Sequence, residues 1–187
     1  MIELQRLTGM RPGEVTIMRV RDLCMSNRTW MYTPESHKTE HYGRSRTITL
    51  GPRAQSIVQP FVATDIDKYL FSPRDAMSEW RRTQRTARKT PMTLSQAKRR
   101  PKARSKKTPG AHYTTQSYGR AIARGCRKAS VSEWSPNQLR HNAATFLRKE
   151  YGIEVARVIL GHNSALVTEV YAEVDHAKAA AVMAEVG

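Results

Sequence analysis

The sequence is short of cysteine, of acidic residues and of long apolar runs, and each shortage excludes something. Cys24 and Cys126 are its only two cysteines. They are too far apart for a metal-ligand pair and too few for a disulfide framework, so a reducing, intracellular setting is expected. No apolar stretch approaches the roughly 20 residues needed to cross a bilayer. The N-terminus, MIELQRLTG, has neither the basic segment nor the continuous apolar stretch of a signal peptide. A Walker loop, a zinc-ligand pattern and internal repeats are all missing. Acid is scarcest relative to its opposite: 16 Asp and Glu stand against 32 Lys and Arg, a formal net charge of +16. A balance this basic predicts a polyanionic partner, most often nucleic acid. Attraction to a membrane surface would need a basic helix with bulky apolar residues opposite, and none is convincing.

What is present suits one domain, or two small ones. The chain has 187 residues with a hydrophobic fraction of 39%, enough for one core. Ile2 to Leu7 reads as the end of a helix that Thr8-Gly9 breaks. Arg11-Pro12-Gly13-Glu14 opens another, with Pro12 near its first position and Val15, Met18 and Val20 on its apolar side. Leu23–Met25, Thr29–Tyr32 and Arg46–Leu50 read as short strands, separated by Ser26-Asn27 and by the polar stretch Ser36 to Gly43, whose turn carries Lys38. Helical spacing returns over residues 53–70, and Phe71-Ser72-Pro73 closes that region. Residues 113–129 read as a helix with Tyr118, Ile122 and Ala123 in phase. Ser135, Pro136 and Gln138 then mark a capped helix start, Leu139, Ala143, Phe146, Leu147 and Tyr151 form its apolar stripe, and Gly152 stops it. A short helix over 155–160 leads to Gly161-His162. Ser164 caps a helix carrying Tyr171, and an Ala-rich helix over 177–186 ends the chain. The expected fold is α+β, mostly α-helical, with a small three-stranded antiparallel sheet near the N-terminus.

Residues 81–108 stand apart. Arg81 to Lys107 holds twelve basic residues and no acidic one, among them Arg81, Arg82, Arg85, Lys98, Arg99 and Arg100. The expectation is a solvated, mobile loop that tracks a phosphate backbone without reading base sequence.

Several polar residues suit phosphoryl transfer. Arginine presents fixed, always-charged donors that match phosphate oxygens. Arg11 opens a helix, where backbone N–H groups favour anions. Asn137, Arg140, His141 and Ala144 follow one face of the Ser135 helix, turned away from the apolar stripe, which leaves Arg140 available outside the core. Tyrosine is a possible covalent nucleophile, although its ordinary pKa of about 10 means that it needs help near neutrality. Histidine can donate to a phosphate oxygen, and a lysine on a hairpin tip can protonate a leaving oxygen.

Three blocks, in order, make the chain resemble the catalytic domain of the tyrosine recombinase, or phage integrase, family. LTGMRPGEV (residues 7–15) is similar to the first arginine box, PNQLRHNAATFL (residues 136–147) to the second, and LGHNSALVTEVYAEV (residues 160–174) to the terminal box, where His162 and Tyr171 lie nine residues apart. The resemblance implies that Tyr171 attacks a DNA phosphate to give a 3′-phosphotyrosyl link and a 5′-hydroxyl. It implies that Arg11 and Arg140 hold the non-bridging oxygens, that His162 donates to the same phosphate and that Lys38 protonates the leaving oxygen. Lys68, in helical spacing, is a poorer candidate for that last role. The family's pattern has histidine three residues before the second arginine, where this chain has Asn137, which cannot act as an acid or base; His141 is more naturally a supporting residue. The resemblance implies no metal and no other cofactor. It implies double-stranded DNA as partner, a monomer when free, a tetramer on DNA and a cytoplasmic, DNA-associated location in a bacterium or phage. It further suggests that residues 1–187 are a catalytic domain without the N-terminal core-binding domain. A non-catalytic DNA-binding module and a type IB topoisomerase are the alternatives; composition alone would also fit an RNA- or ribosome-associated protein, against which the three ordered blocks argue.

Overall fold

The structure, a computed structural model, describes residues 1–37, 46–99 and 109–162. The expected architecture is present: helices surrounding one small sheet. In chain order the elements are α1 (Ile2–Thr8), α2 (Pro12–Thr16), β1 (Leu23–Cys24), β2 (Trp30–Tyr32), β3 (Ile48–Leu50), α3 (Pro52–Val58), α4 (Pro73–Thr86), α5 (Leu94–Ala97), α6 (Thr115–Ala129), α7 (Pro136–Tyr151) and α8 (Ile153–Leu160). The strands form an antiparallel sheet in the order β1-β2-β3, with Leu23 opposite Tyr32 and Tyr32 opposite Ile48. Alternation along β3 buries Ile48 and Leu50 and exposes Thr49.

The main core gathers Leu4, Met10, Val15, Met18, Tyr32 and Val58 with Tyr118 and Ile122 of α6. Apolar burial of this kind contributes about 25 cal/mol per Å² removed from water and is the chief force holding the helices on the sheet. A second, smaller cluster of Ala144, Ala156 and Leu160 joins α7 to α8. Small side chains let these helices approach closely. Gly9, which ends α1 in the left-handed conformation (φ 63°), occupies the crossing point: a Cβ there would lie 2.6 Å from Leu160 Cδ2 and 3.3 Å from Ala143 Cβ. The polar link is Gln5, fully buried. Its Nε2 donates to Pro136 O (2.9 Å), and its Oε1 accepts from the Tyr118 hydroxyl (3.1 Å). One amide thus ties α1 to both α6 and α7.

Several expectations need correction. Helical spacing over 53–70 becomes α3, ending at Val58, followed by a 3-10 turn over Gln59–Phe61. Pro60 lacks an N–H and disfavours a regular helix through it. Lys68 is therefore not helical, and its ammonium pairs with Asp75 Oδ2 at 2.8 Å. Pro73 opens a helix rather than closing a region, because Ser72 caps α4 by accepting from the Arg74 N–H. The basic stretch is not all loop: Arg81, Arg82 and Arg85 lie on α4, all exposed, while Leu94–Ala97 form α5. In α7 the buried residues are Leu139, Arg140, Ala143 and Ala144. Phe146 and Tyr151 instead point outward, their rings edge to face at 6.4 Å. Alanines, not the aromatics, fit the narrow spaces there, Ala144 against α8 and Ala143 beside Gly9 of α1, so Arg140 turns inward with them.

Candidate active site

Arg11 precedes α2 in an extended conformation (φ −70°, ψ 151°). Glu14, one turn into the helix, reaches back to it. Glu14 Oε2 accepts from the Arg11 backbone N–H at 2.6 Å, and Oε1 accepts from Arg11 Nη1 at 2.9 Å. An acid at this position completes the reciprocal half of a capping box and suits the positive end of the helix. Glu14 is 2% exposed, and the Tyr32 hydroxyl fastens its backbone by donating to Glu14 O at 2.6 Å. The Tyr32 phenol, buried and beside the Asp22 and Glu14 carboxylates, is pushed far above its ordinary pKa and stays protonated as a donor.

Arg140 is 7% exposed. Its Nη1 donates to Gly9 O (2.6 Å), and its Nη2 donates to Leu160 O (2.7 Å) and meets His162 Nε2 at 2.9 Å. A guanidinium only donates, so the ring nitrogen accepts; His162 is the neutral tautomer with its proton on Nδ1. Burial, followed by the charges of Arg140, Arg11 and Arg46, lowers the His162 pKa to about 4. The ring is held where it is by the turn before it. Gly161 ends α8 in the left-handed conformation (φ 66°), and the His162 N–H donates to Arg157 O at 3.0 Å.

A third guanidinium enters from the sheet. Arg46, 5% exposed, precedes β3; its Nη1 donates to Ile159 O at 3.1 Å, and its Nε stands 3.5 Å from Glu14 Oε1. Arg11 also borders a cleft of about 430 Å³ shared with Glu14, Ser36, His37, His112 and Thr115. This arrangement gathers cationic donors around one carboxylate at the end of a helix and beside an open cleft. Chemically it suits an oxyanion that brings more negative charge than Glu14 supplies.

Of the expected site residues, Arg11, Arg140 and His162 come together. The charges of both arginines act on His162, and Arg140 touches it. Asn137 is exposed on the first turn of α7, and His141 is half-buried on the next. Lys38, Arg100 and Tyr171 lie outside the described residues, as do Ser164 and the helix expected over 177–186. Arg81, Arg82, Arg85, Lys98 and Arg99 are exposed. Sequence reasoning missed Glu14 as the hub, Arg46 and Gln5. Glu14 had a visible signal, an acid three residues after a helix-opening arginine. Arg46 had none beyond its place at the start of an expected strand.

The profile of the phage integrase family matches residues 1–178. The chain belongs to that family. Its fold agrees with solved integrase-family structures. The XerH site-specific recombinase bound to difH substrate aligns with a TM-score of 0.56 and 17% identity over 97% of this chain and 44% of its own. XerA recombinase gives 0.57 and 18% over 98% and 60%. The Tn1549 transposon integrase in complex with circular intermediate DNA gives 0.59 and 17% over 100% and 58%. This integrase-family chain thus spans between 44% and 60% of the length of those solved chains. No curated protein gives a significant match. Among the described residues, no helix of this integrase-family domain is long and apolar enough to cross a membrane.

Proposed function

We propose that this chain carries out site-specific DNA strand transfer through a covalent protein–DNA intermediate. The observation that carries this reading is the grouping of Arg11, held by Glu14, with the Arg140–His162 pair, whose imidazole both arginine charges reach, in a chain of the phage integrase family. The Tyr171 hydroxyl attacks the scissile phosphorus, the P–O5′ bond breaks, and a 3′-phosphotyrosyl link and a 5′-hydroxyl result. Lys38 supplies the proton that the 5′ oxygen takes up. Arg11 and Arg140 hold the non-bridging oxygens as charge builds in the transition state, and the Nδ1 proton gives His162 a donor for the same phosphate. A second 5′-hydroxyl then reverses the reaction on the partner strand. The link conserves the phosphodiester energy, so the scheme needs neither ATP nor a metal.

Asn137 offers an amide where the family pattern has histidine, so the Tyr171 proton leaves to another group; His141 supports the helix beside it. The partner in this scheme is duplex DNA, held by a tetramer that assembles on it from free monomers in a cytoplasmic setting. Arg81, Arg82, Arg85, Lys98, Arg99 and Arg100 follow the phosphate backbone. The test is a nicked suicide duplex carrying the cognate site. The wild-type protein is expected to become covalently attached to the 3′ end, and Tyr171→Phe to give no adduct. Undiminished adduct in that variant would overturn the assignment. Salt-sensitive binding with no adduct from the wild type would favour a non-catalytic module, and relaxation of plasmids lacking the site a topoisomerase.

A further inference from the structure

Arg46 lies in the segment before β3, more than a hundred residues in sequence from the turn it touches, and nothing in the reaction scheme uses it. Three contacts define it. Its Nη1 donates to Ile159 O (3.1 Å), a carbonyl in the last turn of α8 that has no partner within the helix. Arg140 takes the next carbonyl, Leu160 O. Two guanidiniums therefore close the negative end of α8, where cations are favoured. The Arg46 Nε pairs with Glu14 Oε1, the oxygen that also accepts from Arg11 Nη1. Finally, Arg46 lies against Gly161: a Cβ on that glycine would stand 2.5 Å from Nη1 and 3.0 Å from Cζ. The missing side chain of Gly161 is the space that Arg46 fills.

We propose that Arg46 is a positioning residue of the strand-transfer site, clamping the Gly161–His162 turn to Glu14 and so fixing the His162 ring relative to Arg11 and Arg140. The role rests on the strand-transfer reading for its purpose and on the contacts alone for its geometry. It also links the segment before β3 to the turn that carries His162, through one side chain. The Nε and Nη2 of Arg46 are both buried without a hydrogen-bond partner among the described residues, so Nε meets Glu14 as an ion pair at 3.5 Å. A guanidinium with such an atom is kept for its position, because burial without full pairing is costly. Its charge reaches the ring as well: with Arg140 and Arg11, Arg46 is among the groups that disfavour the imidazolium.

Two variants test this, Arg46→Met and Arg46→Lys. Met keeps the bulk and removes the charge and both polar contacts. Lys keeps a charge but cannot bridge Ile159 O and Glu14 as a planar fork does. The His162 ring is titrated by NMR in the free protein, with and without inorganic phosphate, and melting temperature is recorded alongside. The wild-type midpoint is expected near 4. Met is expected to raise it as a neighbouring cation is removed, and Lys to raise it less. On the nicked duplex used for Tyr171, both variants are expected to form adduct at least about tenfold more slowly at saturating DNA, equivalent to roughly 1.4 kcal/mol of barrier, with half-saturation within about twofold of wild type. If Met does not fold, Lys alone decides. A folded variant with the wild-type midpoint and the wild-type rate at saturation overturns the proposal. If the wild type forms no adduct, the strand-transfer reading fails, and the His162 titration still judges the clamp.

Discussion

His162 shows how far a single residue is set by its surroundings. Its ring is buried, accepts from Arg140 and lies within reach of three arginine charges, so its pKa falls from an ordinary 6.5 to about 4. The sign of the stability effect follows. The unfolded chain binds this proton below about pH 6.5 and the folded protein only near 4. The contribution is therefore complete above pH 6.5 and is lost as pH falls through that window, by on the order of 2 to 3 kcal/mol. Thermal melts between pH 7 and pH 4.5 measure it. His162→Gln, which cannot titrate, is expected to lose less stability over that range than the wild type; an identical pH dependence would mean that the ring is not held neutral. Arg140 at this scale reverses the sequence expectation. A charged residue flanked by polar ones reads as solvated, yet two backbone carbonyls from distant turns make the interior the better place for it.

Among the elements, the junction of α1, α7 and α8 depends on absent side chains. Gly9→Ala would force a left-handed residue to carry a Cβ, and that Cβ would enter the space of Leu160. Strain and overpacking together are expected to cost roughly 2 to 4 kcal/mol, visible as a lower denaturant midpoint. A change below about 0.5 kcal/mol would show that the junction relaxes freely. The same junction marks what was legible in the sequence. Caps and turns were, because Ser135 with Gln138, Gly152 and Gly161 act on neighbours a few residues away. The strands were, from their period and polar separators. The inward face of α7 was not: Phe146 outweighs Ala143 and Ala144 on any hydrophobic scale, and only the closeness of α1 and α8 makes the alanines the better fit. Arg11, Arg140 and His162 were legible as members of three ordered blocks. Arg46 was not, because its partners Glu14 and Ile159 are fixed by the fold alone. Pro60 is a local signal that the helical spacing over 53–70 passes over, and Ser72-Pro73, read as a stop, is a start.

At the scale of the whole molecule, charge bears on the proposed duplex-DNA partner. With a net charge of +16, binding to non-cognate duplex DNA is expected to weaken steeply with salt. Arg81, Arg82 and Arg85 extend this field on α4, a helix with no buried residue, which gives it little to do inside the core. Replacing all three with alanine is expected to reduce the slope of log affinity against log salt by about 0.9 for each phosphate that is no longer neutralised, while leaving the melting temperature nearly unchanged. Fluorescence anisotropy on a labelled duplex, over roughly 50 to 300 mM salt, measures it. An unaltered slope would remove α4 from the DNA-facing surface.

The bonds from Arg140 to Gly9 O and Leu160 O bear on how inactive controls are chosen. In the proposed scheme that guanidinium is fastener and reagent at once: it ties the end of α1 to the end of α8, and its Nη2 also meets His162. An Arg140→Ala protein would leave two carbonyls unpaired at the α1–α7–α8 junction. Its silence in an assay would report a loosened scaffold as readily as a missing charge. Tyr171→Phe removes one oxygen and neither of those two bonds, so under the proposed scheme it is the cleaner knockout, and every Arg140 variant belongs beside a melting curve.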